Sequence, residues 1–107
     1  MSETSPALAC DIAALNPEER ERHRLLLTRL RGALGHRVEL PDGYKFRVNA
    51  DAIALVELAE WMAFEHRCCP FFTLRIETAP EPEGLSVSLH GPAGIKPFID
   101  AAFGPGL

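Results

Sequence analysis

Apolar side chains recur along this chain with two different periods, and the places where one gives way to the other divide it into elements. Leu26, Leu27, Leu30, Ala33 and Leu34 share one broad stripe, with arginines and glutamates opposite, which predicts an amphipathic helix. Its start is marked by Asn16-Pro17-Glu18-Glu19: Asn16 caps the free amides, Pro17 loses nothing by lacking an N–H, and Glu19 closes a capping box. Gly32 and Gly35 weaken the last turns, so the helix is expected to end between Leu34 and His36.

The period then drops to two. Val38 and Leu40, then Tyr44, Phe46 and Val48, read as two strands joined at Pro41-Asp42-Gly43. Residues 50–69 return to helical spacing, with Asn49 to Asp51 offering caps. Leu55, Leu58, Ala59, Met62, His66 and Cys69 fall on one stripe, and Trp61, Glu65 and Cys68 on a neighbouring one. Pro70 stops that helix by forcing the preceding residue away from helical angles. Residues 73–78 and 85–90 read as a second strand pair, and residues 93–103 as a last helix packing through Ile95, Phe98, Ile99 and Phe103. The block Gly43, Tyr44, Phe46, Val48 matches Gly84, Leu85, Val87, Leu89 at a constant offset, so each half reads as hairpin then helix.

The expected fold is therefore α+β: a four-stranded antiparallel sheet made by two hairpins, helices mainly on one face, in the order α-ββ-α-ββ-α. A permuted ferredoxin-like arrangement, a duplicated ββα unit and two hairpins joined at a dimer all satisfy that order. Residues 1–15 read as a tail or short helix, loose over Ser2 to Pro6 with a helical turn within 7–15, and residues 16–107 as a single domain. The closing Gly-Pro-Gly-Leu is expected to fray. If Tyr44, Phe46 and Val48 line an uncovered sheet face, a homodimer is the natural cover.

Composition narrows the partners. With 107 residues, 47% hydrophobic and 24% charged, the chain fits one globular domain. A formal charge of -4 does not supply the positive footprint that nucleic acid needs. The arginines of residues 20–24 are interleaved with Glu18, Glu19 and Glu21, as on a solvated helix face. No stretch is apolar for long enough to span a bilayer, and the first residues lack the basic and apolar segments of a secretory signal. The three cysteines, an odd set with two adjacent, do not suit a disulfide scaffold, so a cytoplasmic setting with free thiols is expected.

The chemistry concentrates in Glu65-His66-Arg67-Cys68-Cys69-Pro70-Phe71-Phe72. On a helix, Glu65 lies three and four residues before the cysteines and His66 three before Cys69, so a carboxylate, an imidazole and two sulfurs come within reach of one another. Thiolates favour soft or borderline ions such as Zn(II), Cu(I), Hg(II) or trivalent arsenic, with Cys68, Cys69, Glu65 and His66 as the candidate ligands. An ordinary structural zinc site is not indicated, since its paired cysteines stand two to four residues apart. Cys10 becomes a third sulfur only if the N-terminal segment folds back. Two other readings stand beside this one. The thiols are redox groups, closing a vicinal disulfide, although the negative helix end and Glu65 oppose a thiolate. Alternatively they simply pack in the core of a structural or protein-interaction domain.

The Glu65–Phe71 segment, with Leu40-Pro41-Asp42-Gly43-Tyr44-Lys45-Phe46-Arg47, the Glu60-Trp61 pair and Leu89-His90-Gly91-Pro92, resembles a small bacterial family of similar length marked by Glu-Arg-x-Cys-Cys-Pro-Phe. Here His66 stands where that pattern has arginine. The resemblance extends over residues 15–103; it implies a compact α+β fold, directs attention to the thiols, and carries no activity with it.

Elsewhere the signals are those of ordinary structure. His90-Gly91-Pro92-Ala93-Gly94 resembles a strand-to-helix turn whose amides suit an anion, without the spacing of a phosphate-binding loop. His23 and Glu19 read as a local charge pair, and Tyr44 and Phe46 as base-stacking candidates that the acidic balance disfavours. Serine-nucleophile and zinc-protease motifs are absent.

Overall fold

The computed structural model describes residues 8–104, so the tail expected over Ser2 to Pro6 and the last three residues of the chain lie outside the described residues. Within them a short 3-10 turn at Ile12–Ala14 precedes α1 (Pro17–Ala33), β1 (Leu34–Leu40), β2 (Gly43–Val48), α2 (Leu55–Cys68), β3 (Thr73–Thr78), β4 (Leu85–His90) and α3 (Ile95–Phe103). This is the α+β order expected, and the Asn16–Glu19 capping box is formed: the Glu19 amide donates to Asn16 Oδ1 at 2.8 Å and the Asn16 amide to Glu19 Oε1 at 2.9 Å.

The strand order is β1-β2-β4-β3, every neighbour antiparallel, so the two hairpins join through their second strands. Phe46 faces Val87 in the β2–β4 register. These are the two residues that the internal sequence match sets equivalent, so the pseudo-symmetry of the halves runs through this pair. All four strands come from one chain, so the two hairpins join within it.

The aromatic face is covered, not open. Tyr44, Phe46 and Val48 are buried, with Leu85, Val87 and Leu89 beside them. Phe46 and Trp61 both meet the Phe103 ring, at centroid distances of 6.4 and 6.1 Å, so α2 and α3 lie on that face. The expected need for a homodimer to cover these rings therefore falls away. By alternation the opposite face carries Lys45, Arg47, Arg75, Glu77, Ser86, Ser88 and His90. Lys45 Nζ reaches Glu77 Oε1 at 3.0 Å across the intervening β4, roofing positions occupied by serines.

Two other expectations are corrected. α2 begins at Leu55, because Asn49 spends its backbone carbonyl on the amides of Ala52 and Ile53 and its side chain on that of Asp51, making a turn. The buried stripe of α2 is Leu58, Trp61, Glu65 and Cys68, whereas Leu55 is half exposed and Ala59 and His66 are exposed. The stripe of α1 that meets it is His23, Leu26, Leu30 and Ala33. The two helices run antiparallel, with Glu19 against Arg67, Arg22 against Glu60, and Arg29 against Glu57.

Glycine is required at one hairpin position. A Cβ on Gly43 would lie 1.8 Å from the Leu89 carbonyl oxygen, whereas one on Gly32 in α1 would meet nothing within 4 Å. Gly43→Ala is expected to destabilise the fold by about 3 kcal/mol or more, and Gly32→Ala to stabilise it by about 0.5–1 kcal/mol through helix propensity. Urea denaturation of both variants checks this; comparable stabilities would contradict the close approach of β2 and β4.

Candidate functional site

Pro70 shapes the site first. Cys69 caps α2 with φ -127° and ψ 70°, outside helical angles, while its amide still donates to the Glu65 carbonyl at 2.7 Å. Adjacent residues on a regular helix point about 100° apart. The break at Cys69 instead brings the Cys68 and Cys69 sulfurs to 3.7 Å.

The N-terminal segment folds back onto this end. The Asp11 amide donates to the Cys68 carbonyl at 2.7 Å, Leu15 is fully buried, and Arg67 Nη2 donates to the Ala14 carbonyl at 3.0 Å. Cys10 thereby reaches Cys69 and forms a disulfide with it, closing a loop across 59 residues. On the chain-entropy account such a loop contributes about 4 kcal/mol. The vicinal disulfide considered from the sequence is not the bond present; Cys68 is the free cysteine and is buried.

Behind Cys68 lies a second polar layer. His23 Nε2 is 2.8 Å from Glu65 Oε1, both side chains being at most a tenth exposed. A carboxylate in an apolar interior requires such a partner, and removing either one costs about 3–5 kcal/mol. His23 is thus paired with Glu65 and not with Glu19, whose carboxylate holds Arg67.

Two donor groups result, each with its ligand atoms within 4.8 Å of one another: Cys10, Cys68 and Cys69, and His23, Glu65 and Cys68. Together they make a candidate site for a thiophilic metal. Of the residues expected to form it, Cys68 is brought to Cys69 in one group and to Glu65 in the other. His66 points away, exposed, and belongs to neither group, while His23 supplies the imidazole. The signal for His23 was its place on the buried stripe of α1, in helical register with Leu26 and Leu30.

Burial, and secondarily the Glu65 charge, pushes the Cys68 thiol up to about 11; Arg67 opposes this only weakly. Cys68 is therefore a protonated thiol at neutral pH and a poor nucleophile. Surface hollows of about 580, 630 and 440 Å³ lie elsewhere, and none of these is lined by a cysteine.

One further polar cluster was not visible in the sequence. His90 Nδ1 is 2.9 Å from Asp42 Oδ1, and its Nε2 is 3.0 Å from Ser88 Oγ and 3.3 Å from Arg75 Nη1. The order acid–imidazole–hydroxyl is that of a nucleophile triad. β4 is an inner strand, its backbone engaged in ladders on both sides. The cluster fastens the Pro41–Asp42 turn to β4, together with the Gly91 amide donating to the Asp42 carbonyl at 2.9 Å.

No protein-family model, curated protein or solved structure matches the chain. Among the described residues, no helix is long and apolar enough to cross a membrane.

Thiol counting checks the arrangement. Without reductant the native chain should show no fast reaction with an aromatic disulfide reagent at pH 7–8; unfolding should expose the single free thiol, Cys68. Unfolding after reduction should expose all three. A fast-reacting thiol in the native chain would contradict the burial of Cys68.

Proposed function

We propose that the chain, with Cys10 and Cys69 reduced, captures a trivalent thiophilic metalloid, arsenic(III) being the type case, through Cys10, Cys68 and Cys69. The observation that carries this reading is the convergence of three sulfurs within 4.8 Å, two of them buried and the third exposed on a separate segment. A trivalent centre takes three thiolates and leaves no net charge, which an apolar surrounding favours. Zn(II) on the same three sulfurs would leave a buried negative charge and still want a fourth ligand. Cu(I) or Hg(II) would leave more uncompensated charge or an idle sulfur.

The chemistry suits protonated thiols. Arsenous acid, As(OH)3, condenses with three R–SH groups to As(SR)3 and three waters: three As–O bonds break, three As–S bonds form, and each thiol proton leaves on a hydroxide. No electrons are transferred and no free thiolate has to accumulate. Cys10 provides the way in, being exposed while Cys68 and Cys69 are buried. The reading needs a reducing setting, as in the cytoplasm, in which the Cys10–Cys69 disulfide opens to two thiols. One copy supplies all three sulfurs, so capture does not need the homodimer.

Native mass spectrometry and calorimetry test this. The reduced chain should take one arsenic(III) with loss of three waters, and Cys68→Ser, Cys69→Ser and Cys10→Ser should each weaken binding about tenfold or more, while His66→Ala leaves it unchanged. Equal binding by wild type and the cysteine variants would remove the proposal.

A further inference from the structure

Cys68 belongs to both donor groups at once, and a sulfur committed to one is lost to the other. With the Cys10–Cys69 disulfide closed, the three-sulfur set does not exist, but His23, Glu65 and Cys68 remain, all buried and within 4.8 Å. A carboxylate, a thiolate and a neutral imidazole carry two negative charges, which a divalent cation cancels. Three thiolates carry three, which a trivalent centre cancels. Each set is therefore matched in charge to a different ion.

One pair of the divalent set is also close to coordination spacing, and the Cys68 sulfur lies within 4.8 Å of both its atoms. Two tetrahedral zinc ligands at ~2.0–2.1 Å from the metal stand about 3.3 Å apart. His23 Nε2 and Glu65 Oε1, now 2.8 Å apart, need to separate by only about half an ångström to reach that spacing. The cation would replace the proton they share and deprotonate Cys68 outright, as coordinated thiols are. Three protein ligands leave one position for water.

We infer that the chain holds a borderline divalent cation, Zn(II) by its donor set, at His23, Glu65 and Cys68, and that reduction of Cys10–Cys69 lets a trivalent metalloid take Cys68 and expel that cation. The reducing step is ordinary exchange with a low-molecular-weight thiol. Cys10–S–S–Cys69 and two R–SH give Cys10–SH, Cys69–SH and R–S–S–R, so the disulfide gains two electrons and two protons and the small thiol is oxidised. In the exchange, two arsenous acid hydroxides leave with the protons of Cys10 and Cys69 and the third with a proton from solvent; the Zn–S bond to Cys68 breaks as the third As–S bond forms, and Zn(II) leaves hydrated while the His23–Glu65 pair regains a proton from solvent. The metalloid half of this inference rests on the function proposed above; the divalent half stands on His23, Glu65 and Cys68 alone.

The test loads the oxidised chain with Zn(II), and in parallel with Co(II), whose thiolate charge-transfer band reports sulfur ligation. One ion per chain is expected, with the band present. Arsenic(III) alone should leave the zinc in place; arsenic(III) with a phosphine reductant should release one zinc per chain to a chelating dye. The Cys10→Ser/Cys69→Ser double variant should load zinc as wild type does and release none. His23→Gln should weaken loading about tenfold or more, as ligand loss does. Cys68→Ser, which leaves the His23–Glu65 pair intact, should abolish the band even if His23→Gln proves too unstable to use. No zinc uptake by oxidised wild type, or uptake indifferent to Cys68→Ser, overturns the divalent site. Binding of arsenic(III) by the reduced chain without zinc release overturns the exchange. If the reduced chain binds no arsenic(III) while the oxidised chain still loads zinc through Cys68, the metalloid reading and the exchange fall and the divalent site is upheld.

Discussion

Pro70 lacks an amide hydrogen and holds Cys69 away from helical angles, and the sulfur cluster depends on that break. On an unbroken helix Cys68 and Cys69 would diverge, one toward the core and one past it. With the break, Cys68 stays on the buried stripe beneath Trp61 and Glu65, while Cys69 turns toward the segment carrying Cys10. The released backbone is put to use as well: the Cys68 carbonyl receives the Asp11 amide, which fixes the returning segment. Phe71 and Phe72 then meet Phe98 of α3 edge to face, at 5.1 and 5.8 Å between centroids, so the chain leaving the break is anchored against the core.

Around this break, the charged groups set which ions the candidate site would suit. Glu65 would be intolerable on an apolar stripe without His23, and the two together place a hydrogen-bonded acid and base directly behind a thiol. A merely structural cysteine needs no such neighbours. Their cost in desolvation is hard to justify by stability alone, because an apolar pair of similar volume would hold α1 to α2 at least as well. The proposed cation binding would give the polar layer a purpose, and the exposed Cys10 would give the layer above it an entrance.

Much of the fold was legible because its signals are local. The capping box at Asn16, the turn at Pro41–Asp42, the proline stop and the strand pair Thr73–Thr78 and Leu85–His90 all arise from neighbouring residues. What was not legible is set by packing between elements. Period-two alternation in Tyr44–Val48 gives two faces but not which one the helices cover. Two overlapping stripes on α2 were both compatible with its spacing, and contact with α1 selected the one bearing Glu65 over the one bearing His66. His23 was missed as a donor because its partner lies 42 residues away, and an adjacent Glu19 offered a simpler local explanation. Cys10 was a candidate only on condition of a fold-back that the burial of Leu15 makes real.

Metalloid capture as proposed requires three sulfurs of one chain around one trivalent ion. X-ray absorption at the arsenic edge, on reduced protein loaded with one equivalent and freed of excess, measures that shell directly. Three sulfur neighbours and no oxygen or nitrogen are expected in wild type, falling to two sulfurs and one oxygen in Cys10→Ser. A wild-type shell retaining oxygen, or one unchanged by Cys10→Ser, would contradict it.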